Sequence, residues 1–179
     1  MDESTAETAD RSHHLWRYVR RYWPVTQPWL GTGARVILGV VFITAGWLKV
    51  GDLAESGRSV NAYEVMPIEL GRFVGAVLPF IEIAIGALLI IGLSTRLVAF
   101  LNGGIYLIFI TGIAQAWARG LTIDCGCFGG GGQVDAADTR YATEIARDIL
   151  LVSLTAFLVM FPHTKYSLDA RLAGPEEIE

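Results

Sequence analysis

The sequence has few of the residues that nucleic-acid binding, a metal centre or covalent haem would need. Only 18% of its residues are charged and the net charge is -4, so nothing supports nucleic acid as a partner. Its two cysteines supply half of a tetrahedral metal site at most, and no Cys-x-x-Cys-His sequence is present to attach haem. The acidic start lacks the basic region and apolar core of a cleaved signal peptide, so membrane insertion is expected to depend on internal segments.

Apolar residues make up 53% of the chain, and long uncharged runs of them predict transmembrane helices. We therefore expect an all-α integral membrane protein with an antiparallel bundle of four transmembrane helices. The turn between the second and third segments is very short, which favours antiparallel neighbours. The four predicted segments cover approximately residues 33–50, 73–95, 97–118 and 139–161.

Four regions are predicted along the chain, and only one of them is the membrane domain. Residues 1–12 are polar and are expected to form a disordered tail. Residues 13–32 combine arginines with aromatics, which predicts an interfacial helix, ended by Pro24 and Pro28, and a linker. This segment is either a plain anchor or a site for a particular lipid or partner. The four-helix domain covers 33–162, and 163–179 form a polar C-terminal tail.

The distribution of basic residues predicts the orientation. With four spans both termini share one side, and that side carries eight Lys and Arg residues against six on the other. Four of the eight precede the first helix, which often dominates orientation. We therefore expect a multi-pass protein of a bacterial plasma membrane with both termini in the cytoplasm and the third loop outside.

That loop contains both cysteines, Cys125 and Cys127, separated by Gly126 and followed by further glycines. Disulfides form and exchange on the extracytoplasmic side, which is oxidising. A disulfide across one residue closes a small ring, which predicts a bond suited to thiol exchange. The neighbouring Asp124 would raise a thiol pKa, whereas Arg119 or Arg147 could lower it. The alternatives are a permanently closed turn or an incidental pair. The glycines are expected to be mobile or to adopt backbone conformations that other residues resist.

A second group of candidate residues is charged and lies within the predicted helices. Glu82 is about nine residues deep in the second segment, Arg147 is at similar depth in the fourth, and Lys49 ends the first. Charges in hydrocarbon are costly, so an ion pair or network between helices is expected. It would either fix helix register or handle protons and face a quinone. Gly39, Ala45 and Gly46 are expected to allow close helix packing.

With these residues the chain resembles the DoxX/MauE family of four-helix redox-associated membrane proteins. The resemblance spans roughly residues 34–160. The string Cys-Gly-Cys-Phe-Gly after the third helix is its most specific part. Supporting matches are Ala45-Gly46-Trp47-Leu48-Lys49, Pro79-Phe80-Ile81-Glu82 with Gly86 and Gly92, and Ala146-Arg147-Asp148-Ile149-Leu150.

The resemblance implies two functions. In one, Cys125 and Cys127 exchange thiol and disulfide equivalents with an extracytoplasmic thioredoxin-like protein, with a quinone as a possible cofactor near Glu82 and Arg147. In the other, the chain is a non-catalytic accessory subunit of a larger membrane complex of the respiratory type, and the disulfide only shapes a docking loop. Vitamin K epoxide reductases, of comparable design, use a second cysteine pair. This chain has none, so catalysis would need a partner.

Overall fold

Helices make up most of the part of the chain that the structure describes. The computed structural model describes residues 3–172, with side chains for 23–137 and 139–172. The elements in chain order are α1 (Glu3–Val50), α2 (Leu53–Ala62), α3 (Ile68–Ile91), α4 (Thr95–Ala118), β1 (Ile123–Asp124), β2 (Gly132–Gln133), a 3-10 turn (Ala136–Asp138), α5 (Tyr141–Met160) and α6 (Leu168–Leu172).

Within the described residues, three helices are long and apolar enough to cross a bilayer, so the protein is an all-α, multi-pass membrane protein. They are Trp23–Val50 within α1, Ile68–Ile91 and Thr95–Ala118. The predicted fourth transmembrane segment corresponds to α5. This helix does not meet the same criterion of length and hydropathy, and it carries charged residues in its first half. The short helix α2 lies in the polar connection between α1 and α3, and α3 begins directly after Pro67.

The prediction that Pro24 and Pro28 end a separate interfacial helix is wrong, because both lie inside α1. Each proline removes one backbone donor, but tertiary contacts hold the helix at this point. Trp23 packs edge-to-face on Phe161, and Gln27 donates a hydrogen bond to the Phe161 carbonyl. Thr32 donates a side-chain hydrogen bond to the Pro28 carbonyl, and the Lys165 N–H donates to the same carbonyl from the chain after α5.

α1 starts at Glu3, so the helix includes residues that we expected in a disordered tail. The side chains that would make 13–22 interfacial lie outside the described residues. The division of the chain into four regions therefore stays a prediction.

The helices pack in two pairs, α1 with α3 and α4 with α5, around a shared apolar core. Glycines bring α1 and α3 together: a Cβ on Gly39 would lie 2.8 Å from the Gly86 carbonyl, and one on Gly46 would lie 2.5 Å from the Pro79 carbonyl. The predicted close packing at these two glycines is confirmed. Ala45 is buried as well, at 6% exposure.

At one end of the bundle the chain after α5 folds back over the helices. Arg35 is 2% exposed and donates hydrogen bonds to the Thr164 hydroxyl and the Tyr166 carbonyl. Asp169 accepts hydrogen bonds from the backbone N–H groups of Ser94 and Thr95 at the start of α4. The opposite end holds α2, the hairpin formed by β1 and β2, and the cysteines.

Candidate thiol–disulfide site

The two cysteines lie in the loop of a small hairpin between α4 and α5. β1 and β2 pair antiparallel, with Ile123 opposite Gln133 and Asp124 opposite Gly132. Cys125 and Cys127 form a disulfide within this loop. The four glycines from 129 to 132 all have positive φ, between 70° and 107°. Glycine adopts this backbone without the steric cost that a Cβ brings. The tract therefore adopts backbone conformations that other residues resist, which is one of the two roles expected from the sequence.

One face of α5 supports the hairpin from below. The Tyr141 hydroxyl accepts a hydrogen bond from the Ile123 N–H and donates one to the Leu121 carbonyl. Glu144 and Asp148 follow at helical spacing on the same face and are 9% and 1% exposed. Residues three, four and seven positions apart on a helix share a face, so this part of α5 is committed to the loop rather than to lipid.

The helix α2 covers the loop from the other side. Ser59, 5% exposed, donates a hydrogen bond to the Gly130 carbonyl over 2.7 Å. Tyr63 donates one to the Cys125 carbonyl over 3.0 Å. Burial, together with the nearby Glu144 and Asp124 carboxylates, raises the pKa of Tyr63, so its hydroxyl stays protonated as a donor.

Of the two arginines that could act on a thiol, the structure brings Arg147 to the disulfide. Its Nη2 lies 4.0 Å from the Cys125 sulfur and 2.9 Å from an Asp148 carboxylate oxygen. Its guanidinium also lies over the Phe128 ring, 4.9 Å from the centroid. Arg119 instead forms an ion pair with Glu64 over 2.7 Å. The guanidinium nearest to the pair is therefore held by a carboxylate and an aromatic ring.

Lys49 and Glu82 form the ion pair that the sequence suggested. The Lys49 ammonium lies 2.7 and 2.9 Å from the two carboxylate oxygens, and the side chains are 5% and 1% exposed. Arg147 does not join this pair but lines the same cavity as Glu82 and Cys127. Tyr106 and Asp148 also line that cavity, and the buried Tyr106 hydroxyl and one Asp148 oxygen have no hydrogen-bond partner among the described residues.

The dimensions of this cavity bear on the quinone prediction. Its volume is about 10 Å³, which suits about one water molecule. Two orphaned polar atoms are suitable partners for such a water. A quinone ring does not fit in this cavity.

The sequence predicts the cysteines, Lys49, Glu82 and Arg147 as candidate site residues but gives no role to the residues that hold the loop. Tyr63, Tyr141 and Ser59 were missed because their partners are backbone atoms far away in the sequence. Their residue types alone gave no signal. Asp148 lies in the Ala-Arg-Asp-Ile-Leu string. Its position directly after Arg147 is the sequence feature that could have indicated a role at the site.

Comparison with known proteins gives a family match over most of the chain. A family described as "Methylamine utilisation protein MauE" matches residues 27–161. The chain belongs to the MauE family. One MauE-family relative, Methylamine utilization protein MauE from Paracoccus denitrificans, is 31% identical over 106 residues, 59% of this chain and 57% of the relative. The chain thus matches a little more than half of that relative's length. No solved structure matches this member of the family.

Proposed function

We propose that this MauE-family protein exchanges thiol and disulfide equivalents with an extracytoplasmic thioredoxin-like partner through Cys125 and Cys127. The observation that carries the proposal is the disulfide with a guanidinium 4.0 Å from one of its sulfurs. A cation beside a sulfur stabilises the thiolate form, which thiol exchange requires. By analogy with the name of its relative, we place this exchange in methylamine utilisation.

The proposal includes α5 as a fourth transmembrane helix. Its 20 residues are long enough to span the hydrocarbon, and its charged residues Glu144 and Asp148 are turned into the protein. Ile149, Leu150 and Met160 are more than half exposed and provide an apolar surface for lipid. The four helices then form an antiparallel bundle with both termini in the cytoplasm and the cysteine hairpin outside.

The chain's own residues define what the site does in this exchange. Tyr63, Tyr141 and Ser59 fix the hairpin through its backbone, so the disulfide is presented in a constant position. Arg147 compensates the negative charge that forms on sulfur when the S–S bond opens. The partner dithiol is oxidised and the Cys125–Cys127 pair is reduced, with two electrons and two protons transferred.

Thiol trapping tests the proposal. The tagged chain is expressed as Cys125→Ser, Cys127→Ser and the double-serine variant, acid-quenched in cells, alkylated and purified. We expect at least one single-serine variant to carry a thioredoxin-like protein in a mixed disulfide that reductant releases, and the double variant to carry none. Absence of a mixed disulfide from both single variants, at normal membrane levels, would contradict thiol exchange.

The second candidate function is a non-catalytic accessory subunit of a larger membrane complex. Its supporting observation is the network that holds the hairpin rigidly between α2 and α5 and so makes a fixed docking surface. In that case the double-serine variant retains assembly and most activity of the complex. Co-purification of the complex from cells with the wild-type or double-serine chain distinguishes the two functions.

A further inference from the structure

The two cysteines of the disulfide differ in exposure. Cys125 is 8% exposed and packs with Ile123 and Tyr141 in an apolar cluster beneath the hairpin. Cys127 is only half-buried, and the next residue, Phe128, is 38% exposed. A thiol that approaches from outside therefore has easier access to Cys127 than to Cys125.

Arg147 makes its hydrogen-bond contact with one of the two sulfurs. The Arg147 contact of 4.0 Å is to the Cys125 sulfur. Asp148 and the Phe128 ring hold that guanidinium in place. When a disulfide is attacked, the sulfur that leaves becomes a thiolate, and it leaves faster when its thiol pKa is low. A cation at the leaving sulfur lowers that pKa.

We infer that a partner thiolate attacks Cys127 and that Cys125 is the leaving sulfur, stabilised by Arg147. This inference rests on the proposed function and specifies its chemistry. The attack forms a bond between the partner sulfur and Cys127 Sγ, and the Cys125–Cys127 bond breaks with its electron pair on Cys125. The partner's second thiolate then attacks the partner sulfur of the mixed disulfide and releases Cys127. The two protons from the partner's thiols end on Cys125 and Cys127.

The first test uses the unmodified protein and reduced glutathione as the probe. Purified wild-type chain in detergent is mixed with glutathione and acid-quenched at short times, and the adduct is located by fragmentation mass spectrometry. We expect glutathione on Cys127 and a free thiol at Cys125. Adducts on Cys125, equal adducts on both, or no reaction of the disulfide would each overturn the inference.

The second test isolates the role of Arg147. In Arg147→Gln, reduction by glutathione is expected to slow at least about three-fold, because the leaving thiolate loses its cation. The alkylation profile of Cys125 in the reduced protein should move to higher pH, while that of Cys127 stays in place. Arg147→Lys should restore much of the rate, and Arg119→Gln, which changes the arginine paired with Glu64, should leave both readouts unchanged.

The outcomes separate this inference from the proposed function. A shift of the Cys127 profile in place of Cys125, or the same effect from Arg119→Gln, would contradict the role given to Arg147. Partner trapping in cells together with glutathione on Cys125 would leave thiol exchange in place and reverse the order of the two cysteines. Absence of any trapped partner would remove the proposed function itself.

Discussion

At the scale of single residues, the Lys49–Glu82 pair shows that a charge buried between the helices requires a partner of opposite charge. Both side chains are almost fully buried, and each ammonium–carboxylate distance is under 3 Å. Desolvation of two charges is costly, and the pair offsets that cost only while both partners are present. Removal of one partner is therefore more harmful than removal of both.

We predict that Glu82→Gln leaves Lys49 buried without a counter-charge and destabilises the fold by about 3–5 kcal/mol. Thermal unfolding of the purified protein in detergent measures the change. The double variant Lys49→Met, Glu82→Leu is expected to recover most of the loss. Glu69→Gln breaks an exposed pair with Arg72 and serves as the control, with an effect below about 1 kcal/mol. Equal losses for Glu82→Gln and the control would contradict the importance of the buried pair.

At the scale of the elements, close contact between α1 and α3 depends on glycines that face each other. A Cβ on Gly86 would lie 2.7 Å from the Gly39 carbonyl, closer than real Cβ atoms approach. Membrane helices gain much of their association from such close packing, because lipid gives no hydrophobic drive. The backbone atoms in contact cannot move aside as a flexible side chain would.

We therefore predict that Gly86→Ala pushes α1 and α3 apart and costs about 1–3 kcal/mol, the usual penalty of overpacking. Gly104→Ala is the matched control, because it lies in α4 and a Cβ there meets nothing within 4 Å. The control should be neutral or stabilise by up to about 1 kcal/mol. Resistance to heat or to proteolysis in detergent measures both. A stable Gly86→Ala protein would show that the two helices tolerate a wider separation.

The start of α4 shows a second dependence between elements, since its cap comes from the distant helix α6. Ser94 makes no side-chain cap, and the Asp169 carboxylate accepts the Ser94 and Thr95 N–H groups instead. Burial alone would raise the pKa of Asp169, but these hydrogen bonds and the Arg35 charge outweigh it, and the pKa is lowered.

We predict that Asp169→Ala destabilises the protein by about 1 kcal/mol, as loss of a helix cap does. A lowered pKa means that the charged cap stabilises the fold above the unfolded pKa of about 4 and that this contribution is lost as pH falls through the folded value. The stability difference between wild type and Asp169→Asn should therefore shrink as pH falls below about 4. Asp135→Ala, at a position without a side-chain cap, is the control. A pH-independent difference would contradict a charged cap.

The elements show which parts of the structure are predictable from the sequence. The long apolar runs gave the ends of α4 within a few residues, because exclusion from water determines them locally. The prediction that Pro24 and Pro28 end a helix is wrong, because contacts of Trp23 and Gln27 with Phe161 outweigh the local cost of proline. At the candidate site, the two cysteines can be identified from the sequence alone.

The residues that hold the hairpin by hydrogen bonds cannot be identified from the sequence in the same way. The Tyr63 hydroxyl meets the Cys125 carbonyl across 62 residues, a contact that depends on how α2 folds over the loop. No local pattern encodes that distance. A sequence therefore reveals the cysteines of this site more readily than the tertiary contacts that position them.

At the scale of the whole molecule, the two ends of the bundle are chemically different. One end carries the disulfide, with Arg147 beside it and Tyr63 above. The other end carries the returning chain that buries Arg35 under carbonyl groups. The orientation of the bundle decides which compartment the disulfide faces, and hence whether it meets an oxidising or a reducing environment.

We predict that the hairpin faces outward and the returning chain faces the cytoplasm. In a background with both native cysteines changed to serine, Gln133→Cys places a thiol on the exposed hairpin strand, and Tyr166→Cys places one at a residue that is 72% exposed on the opposite end. A membrane-impermeant thiol reagent should label Gln133→Cys in intact cells and Tyr166→Cys only after permeabilisation. The reverse result would put the native pair in the reducing cytoplasm, where a lasting disulfide is rare, and would contradict the proposed exchange with an extracytoplasmic partner.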